Sequence, residues 1–119
     1  MTITHIPAAA QIPIAQFEVG GTPKASGSLP TPTLATHEAF SAPGDAVSTG
    51  VWEATPGTFV RAIMDAEFSH FVAGHATFTT EDGRSFEFRA GDAVYFPPFS
   101  RGVWTVHQTT RKTYCIWKS

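Results

Sequence analysis

The chain has a single cysteine, Cys115, in 119 residues. That excludes an intrachain disulfide and a CxxC zinc module, and it fits a reducing cytoplasm. Cys115 itself reads as a small apolar residue in a buried strand, not as a catalytic thiol. No apolar run approaches the roughly 18 residues that would span a bilayer, so a soluble protein without membrane partners is expected. The opening stretch MTITHIPAAAQIPIAQF lacks a basic leader and is interrupted by Pro7 and Pro13, which is not the pattern of a signal peptide. Charge is sparse as well: 15% of residues are charged and the formal net charge is −2. Such a composition gives no electrostatic footprint for gripping a phosphate backbone, and no nucleic-acid partner is expected. Six of the eight basic residues follow position 83, and they read as solvated strand faces. A sustained helical period is missing throughout.

What the chain does contain is apolar and aromatic. Apolar residues make up 42%, with ten Phe and three Trp, enough for one core in one domain. Six of the nine prolines lie in the first 43 residues, and VGGTPKASGSLPTPT mixes them with Gly, Ser and Thr. Residues 1–45 are therefore expected to form a mostly irregular N-terminal arm with one short strand near Gln16–Val19, wrapped over the domain or over a partner subunit. Residues 46–119 are expected to form the compact domain. There, short β-like runs alternate with turns at Pro56-Gly57, Asp82-Gly83 and Ala90-Gly91-Asp92, the Asp-Gly pair marking a tight hairpin. Eight or nine short strands at this spacing predict an all-β sandwich or barrel, best closed as a jelly roll that hides its edges.

Several of these runs, in order, carry a family pattern. GVWEATPGTF, EFSHFVAGHATFTTEDGRSFEFRAGDAVYFPPFSRGVWTV and RKTYCIW together resemble the small single-domain cupins related to ureidoglycine aminohydrolase. The resemblance implies an RmlC-like double-stranded β-helix whose mouth holds the active site, commonly with a metal held by two histidines and a glutamate from a first motif and one histidine from a second. Glu67 and Gly74 match the end of the first motif, and Gly91 and Pro97 match the second. Where the paired histidines should stand, the chain has Val60, Arg61, Ala62 and Ile63. Where the second motif should give Gly and then His, it has Phe99 and Gly102. His70 and His75 are poor replacements. An odd spacing puts residues of one strand on opposite faces, and the eight residues from Glu67 to His75 would span about 26 Å if extended at roughly 3.3 Å each. No metal or other cofactor is therefore expected; a non-standard site would have to recruit His5, His37 or His107.

The candidate site residues follow from register. Glu67 is the candidate catalytic group, either transferring a proton or paired with a cation such as Arg61. Arg61, standing where a histidine ligand would be, suits bidentate binding of a carboxylate. Trp52, Tyr95, Trp104 and Tyr114 are expected to supply an aromatic wall. Trp52 rather than its neighbour Glu53 is assigned inward. Lys112 shares parity with Tyr114 and so presents an amine beside a phenol, with Arg111 facing out. The expected function is binding of a small molecule, a ureido- or amino-acid-like carboxylate, in a metal-free barrel of a homodimer. Two alternatives stand: a metal-dependent enzyme similar to ureidoglycine aminohydrolase with non-standard ligands, and a non-catalytic binding or sensory cupin.

Overall fold

The computed structural model describes residues 2–118. Nine strands account for most of them: β1 (Glu18–Val19), β2 (Lys24–Ala25), β3 (Leu34–Ser41), β4 (Val47–Ala54), β5 (Gly57–Ile63), β6 (Ala66–Thr80), β7 (Ser85–Arg89), β8 (Ala93–Phe96) and β9 (Ser100–Trp117). Every pairing is antiparallel. β9 pairs through its first half with β5 and through its second half with β4, while β6 runs beside it along both halves. Two leaves result, one in the order β1-β3-β4-β9-β6-β8 and the other β2-β5-β9-β6-β7. They share a continuous β6–β9 ribbon that bends from one leaf into the other, which is the expected all-β jelly roll.

The bend is made at Gly74, where φ is +97°. Register slips between Phe71 and Ala73, Ala73 and His75, and His75 and Ala76. These bulges reset which residues face the core. Glu67, Ser69 and Phe71 are buried before the bend, Ala76 and Phe78 after it, so the inward positions change from odd to even. The strand runs on through Gly74 and is bent there, not broken.

The core between the leaves is largely aromatic. Phe59, Phe71, Phe78, Phe88, Phe96 and Trp104 form one buried cluster with Ala54, Ile63, Ala76 and Val106. Phe71 stacks on Phe88 at 4.7 Å, and Phe78 meets Trp104 edge-on at 5.0 Å. Such offset and edge contacts suit the ring quadrupoles and add to the area term. Opposite Phe78, Phe86 remains partly exposed.

The N-terminal stretch is more regular than its composition suggests. It holds three strands instead of one, and β3 pairs with β4 through seven residue pairs. LATHEAFS has no apolar run and mixes polar with apolar side chains, so its strand character comes from the partner strand and not from local propensity. Phe17, Ala35 and Val51 form a second small cluster on the outer side of this leaf, joined by Ile6, Ala9 and Ile12. Arg111 locks that covering segment in place. It faces out of the barrel yet is buried, donating to the carbonyls of Ala9 (3.1 Å) and Ile12 (2.7 Å) and to Glu53 Oε1 (2.7 Å). Its guanidinium also lies 4.6 Å from the Phe17 ring centre.

Gly74 offers a direct test of the bend. A Cβ there would lie 2.3 Å from the Thr109 carbonyl oxygen and 2.6 Å from Thr110 Cα, whereas one at Gly91 (φ +99°) would meet nothing within 4 Å. Gly91→Ala is expected to cost only backbone strain, of order 1–3 kcal/mol. Gly74→Ala adds a backbone collision and should cost clearly more, measured by urea denaturation of both variants; equal losses would show that the close approach at the bend is not what holds Gly74.

Candidate functional site

One end of the barrel opens into a cavity of about 150 Å³ whose lining includes Trp52, Arg61, Glu67, Trp104, Lys112 and Tyr114. Each is brought there by strand parity. Trp52 faces in from β4 directly opposite Lys112 on β9, while its neighbour Glu53 faces out to Arg111. Arg61 lies on β5 opposite Gly102 and is exposed. Six of the seven candidates thus meet in one place. The seventh, Tyr95, does not: it is 56% exposed and pairs with Phe68 on the outer face. On a four-residue strand whose Phe96 is buried, Tyr95 has to point the other way.

The centre of the site is an ion pair that sequence reading did not make. Glu67 and Lys112 are each 5% exposed, and Lys112 Nζ donates to Glu67 Oε2 at 2.6 Å. Ser69 Oγ, fully buried, donates to the same oxygen at 2.8 Å. The expected partner was Arg61, six residues away; the partner found is 45 residues away, placed by β6–β9 pairing. Lys112 Nζ also sits among aromatic faces, 4.9 Å from the Trp52 ring centre, 5.5 Å from Trp104, 5.6 Å from Phe96 and 5.9 Å from Phe71. These add cation–π attraction to the pair.

Burial alone would raise the Glu67 pKa, but the Lys112 ammonium, the Ser69 hydroxyl and the Arg61 charge outweigh it and hold the carboxyl below its ordinary value. Burial is the largest influence on Lys112 too. It lowers that pKa, Arg61 lowers it further, and Glu67 only partly restores it. The Tyr114 phenol is pushed up to about 12 by burial and by the charges of Glu38 and Glu67, so it remains a hydrogen-bond donor. Burial also raises the Cys115 thiol, which disfavours its thiolate form.

The residues present do not fit a divalent metal. Glu67 Oε2 is occupied by an ammonium and a hydroxyl, and a second cation, Arg61, faces the same cavity. At the position of the fourth ligand in the resemblance, a Cβ on Gly102 would lie 2.2 Å from the Thr79 carbonyl oxygen and 2.9 Å from the Phe78 ring, so no side chain can enter. Phe99, where that motif places glycine, keeps a left-handed backbone with φ +66°. The histidines stand elsewhere. His70 is on the outer face, His37 is bonded to the Gln16 carbonyl oxygen, and His75 pairs with Glu87 and lies 4.4 Å from His107, ring centre to ring centre. Among the described residues no group of three or more His, Cys, Asp or Glu is placed to hold a metal ion.

Comparison with known proteins places this geometry in a family. Residues 41–114 match the EutQ-like cupin domain. The EutQ protein of Clostridium difficile has a similar structure, with a TM-score of 0.65 at 19% identity over 74% of this chain and 70% of that one. A protein of unknown function from Pseudomonas syringae, of the DUF861 family, gives 0.73 at 23% identity; it covers 84% of this chain, which spans only 43% of that longer protein. A DUF861 family protein of Thermotoga maritima gives 0.53 at 33% identity over 54% of this chain and 73% of its own. No curated protein matches the chain. The ureidoglycine aminohydrolase-like grouping is thus coarsened to the cupin superfamily and its EutQ-like domain.

Removing one partner of a buried ion pair typically costs 3–5 kcal/mol, because the other charge is left uncompensated. Glu67→Gln is expected to lose about that much at pH 7, read by chemical denaturation. The pH dependence has a definite sign. A depressed carboxyl pKa contributes stability that is fully present above the unfolded value of 4.5 and is lost as pH falls through the lower folded value. A depressed lysine pKa has the opposite consequence: its burial penalty is relieved as pH rises toward 10.5. Wild type should therefore lose stability below pH 4.5 more steeply than Glu67→Gln.

Proposed function

We propose that this chain, which belongs to the EutQ-like cupin family, binds a small carboxylate in its barrel without a metal. The observation that carries the reading is the charge of the cavity: two cations, Arg61 and Lys112, face it with one carboxylate, Glu67, leaving a net positive charge inside low-dielectric walls. A guanidinium at the exposed rim is the geometry for bidentate capture of a carboxylate. The cavity, about 150 Å³, is smaller than the roughly 300–1,000 Å³ of sites for drug-sized ligands. It suits an acid of a few non-hydrogen atoms. Trp52 and Trp104, 6.0 Å apart, supply flat apolar surface for the remainder of such a ligand, and the Tyr114 phenol a hydrogen bond for a ureido or amino group.

Within the pocket Glu67 is the group able to move a proton, since its carboxylate and the Lys112 ammonium already share one short hydrogen bond. Either a binding protein or an enzyme acting on such an acid uses the same first event, capture of the carboxylate.

Thermal-shift measurements with ureido acids, amino acids and simple carboxylates, each beside its neutral amide, test this reading. Ligand at about 100 times its Kd stabilises the folded state by about 2.7 kcal/mol, a rise of several degrees in Tm for a chain of this size. The acids are expected to produce that rise and the amides to fail. Arg61 is exposed, so Arg61→Ala should leave the Tm of the free protein almost unchanged while abolishing the shift. Equal shifts from acids and amides would remove the anion site.

A further inference from the structure

Lys112 is more than the counter-ion of Glu67 requires. It is the buried one of three lysines, Lys24 and Lys118 being exposed, and it forms part of the cavity wall where a ligand would touch it. Resting on the carboxylate reading above, we infer that Lys112 is a carbonyl-reactive lysine, whose Nζ condenses with a small oxo acid held through its carboxylate by Arg61.

The surrounding groups supply what that condensation needs. An amine attacks a carbonyl only when neutral, and a lysine is brought toward that state by apolar walls and by a second cation nearby. Trp52, Trp104, Phe96 and Phe71 provide the walls, and Arg61 is the cation. The lowered pKa of Lys112 agrees with this geometry. Among the described residues Glu67 is the one acidic group lining the cavity, and it is already hydrogen-bonded to the amine, so it accepts the ammonium proton. Tyr114, still a phenol, can donate to the carbonyl oxygen.

The step balances without an oxidant or reductant. Glu67 takes one proton from the Lys112 ammonium, and the freed lone pair forms the C–N bond as the C=O π pair moves to oxygen. That oxygen and the nitrogen exchange protons through Glu67, the C–O bond breaks, and one water leaves with the oxygen. The products are a protonated C=N linkage to Lys112, the Glu67 carboxylate and water; of the three ammonium protons one stays on the nitrogen and two leave in the water.

Reductive trapping tests the inference on the unmodified protein. Wild type is incubated with glyoxylate and cyanoborohydride, and labelled peptides are mapped by mass spectrometry, with Lys24, Lys118 and the terminal amine as internal competitors. Label should appear at Lys112 at least tenfold faster than at the other amines. Propionaldehyde, which lacks the carboxylate, should show less preference for Lys112, and Arg61→Ala should bring glyoxylate down to that level. Label spread evenly, or confined to Lys24, Lys118 and the terminal amine, overturns the inference. If glyoxylate still raises the Tm in that case, the carboxylate site stands and only the condensation falls; if it does neither, both fall. Lys112→Arg, which keeps a cation beside Glu67, should lose the fast label, and equally fast labelling of another amine in this variant would count against the assignment.

Discussion

Everything in this barrel depends on the pairing of β6 with β9. Among the described residues these two strands, of 15 and 18 residues, are the ones that run through both leaves, and β4, β5, β7 and β8 each attach directly to one of them. A ribbon that long can close around a core only by bending, and the bend brings Gly74 against Thr109 and Thr110. The bulges beside it invert the inward parity of β6. Polar Glu67 and Ser69 therefore face the interior on one side of the bend, while Phe78 and Ala76 close it on the other. The division between a polar pocket and an aromatic plug is thus a consequence of how one strand turns.

The pocket's electrostatics are costly in stability terms. A buried ion pair loses much of its Coulomb gain to desolvation, and well-packed apolar residues in its place are often neutral or better. Glu67 and Lys112 offset part of that cost with the Ser69 hydroxyl and four aromatic faces. The remainder is the physical reason to look for chemistry here: paired titratable groups whose environments displace their pKa values, in a concave site, are the usual form of a functional site. The same set of groups occupies the Glu67 oxygen that a divalent cation would use, and the charge that holds Glu67 ionised comes from a side chain.

β9 shows how one alternation serves two purposes. Arg111 and Lys112 are adjacent, both buried and both cationic, yet they lie on opposite sides of the sheet. Lys112 enters the barrel to meet Glu67; Arg111 leaves it to bind Glu53 and the carbonyls of the N-terminal segment. A guanidinium with several directed donors can satisfy two carbonyls and a carboxylate together, whereas a single ammonium suits one short contact. Exchanging the two residues would break both arrangements.

The sequence by itself determined the strand-and-turn texture, the hairpin at Asp82-Gly83, the inward assignment of Trp52, Trp104, Lys112 and Tyr114, and the missing histidines, because period-2 alternation and turn chemistry are local. It missed β3, whose mixed polar and apolar side chains carry no apolar pattern, and it turned Tyr95 inward because the parity of a four-residue strand is fixed only by its buried neighbour. Only the tertiary structure decided that Lys112, and not Arg61, is the partner of Glu67, and that Arg111 is buried against Ala9, Ile12 and Phe17. Those contacts join positions 45 to 102 residues apart. They are set by register between distant strands and by a bulge that resets parity, and neither is written in the local pattern of the strands they join.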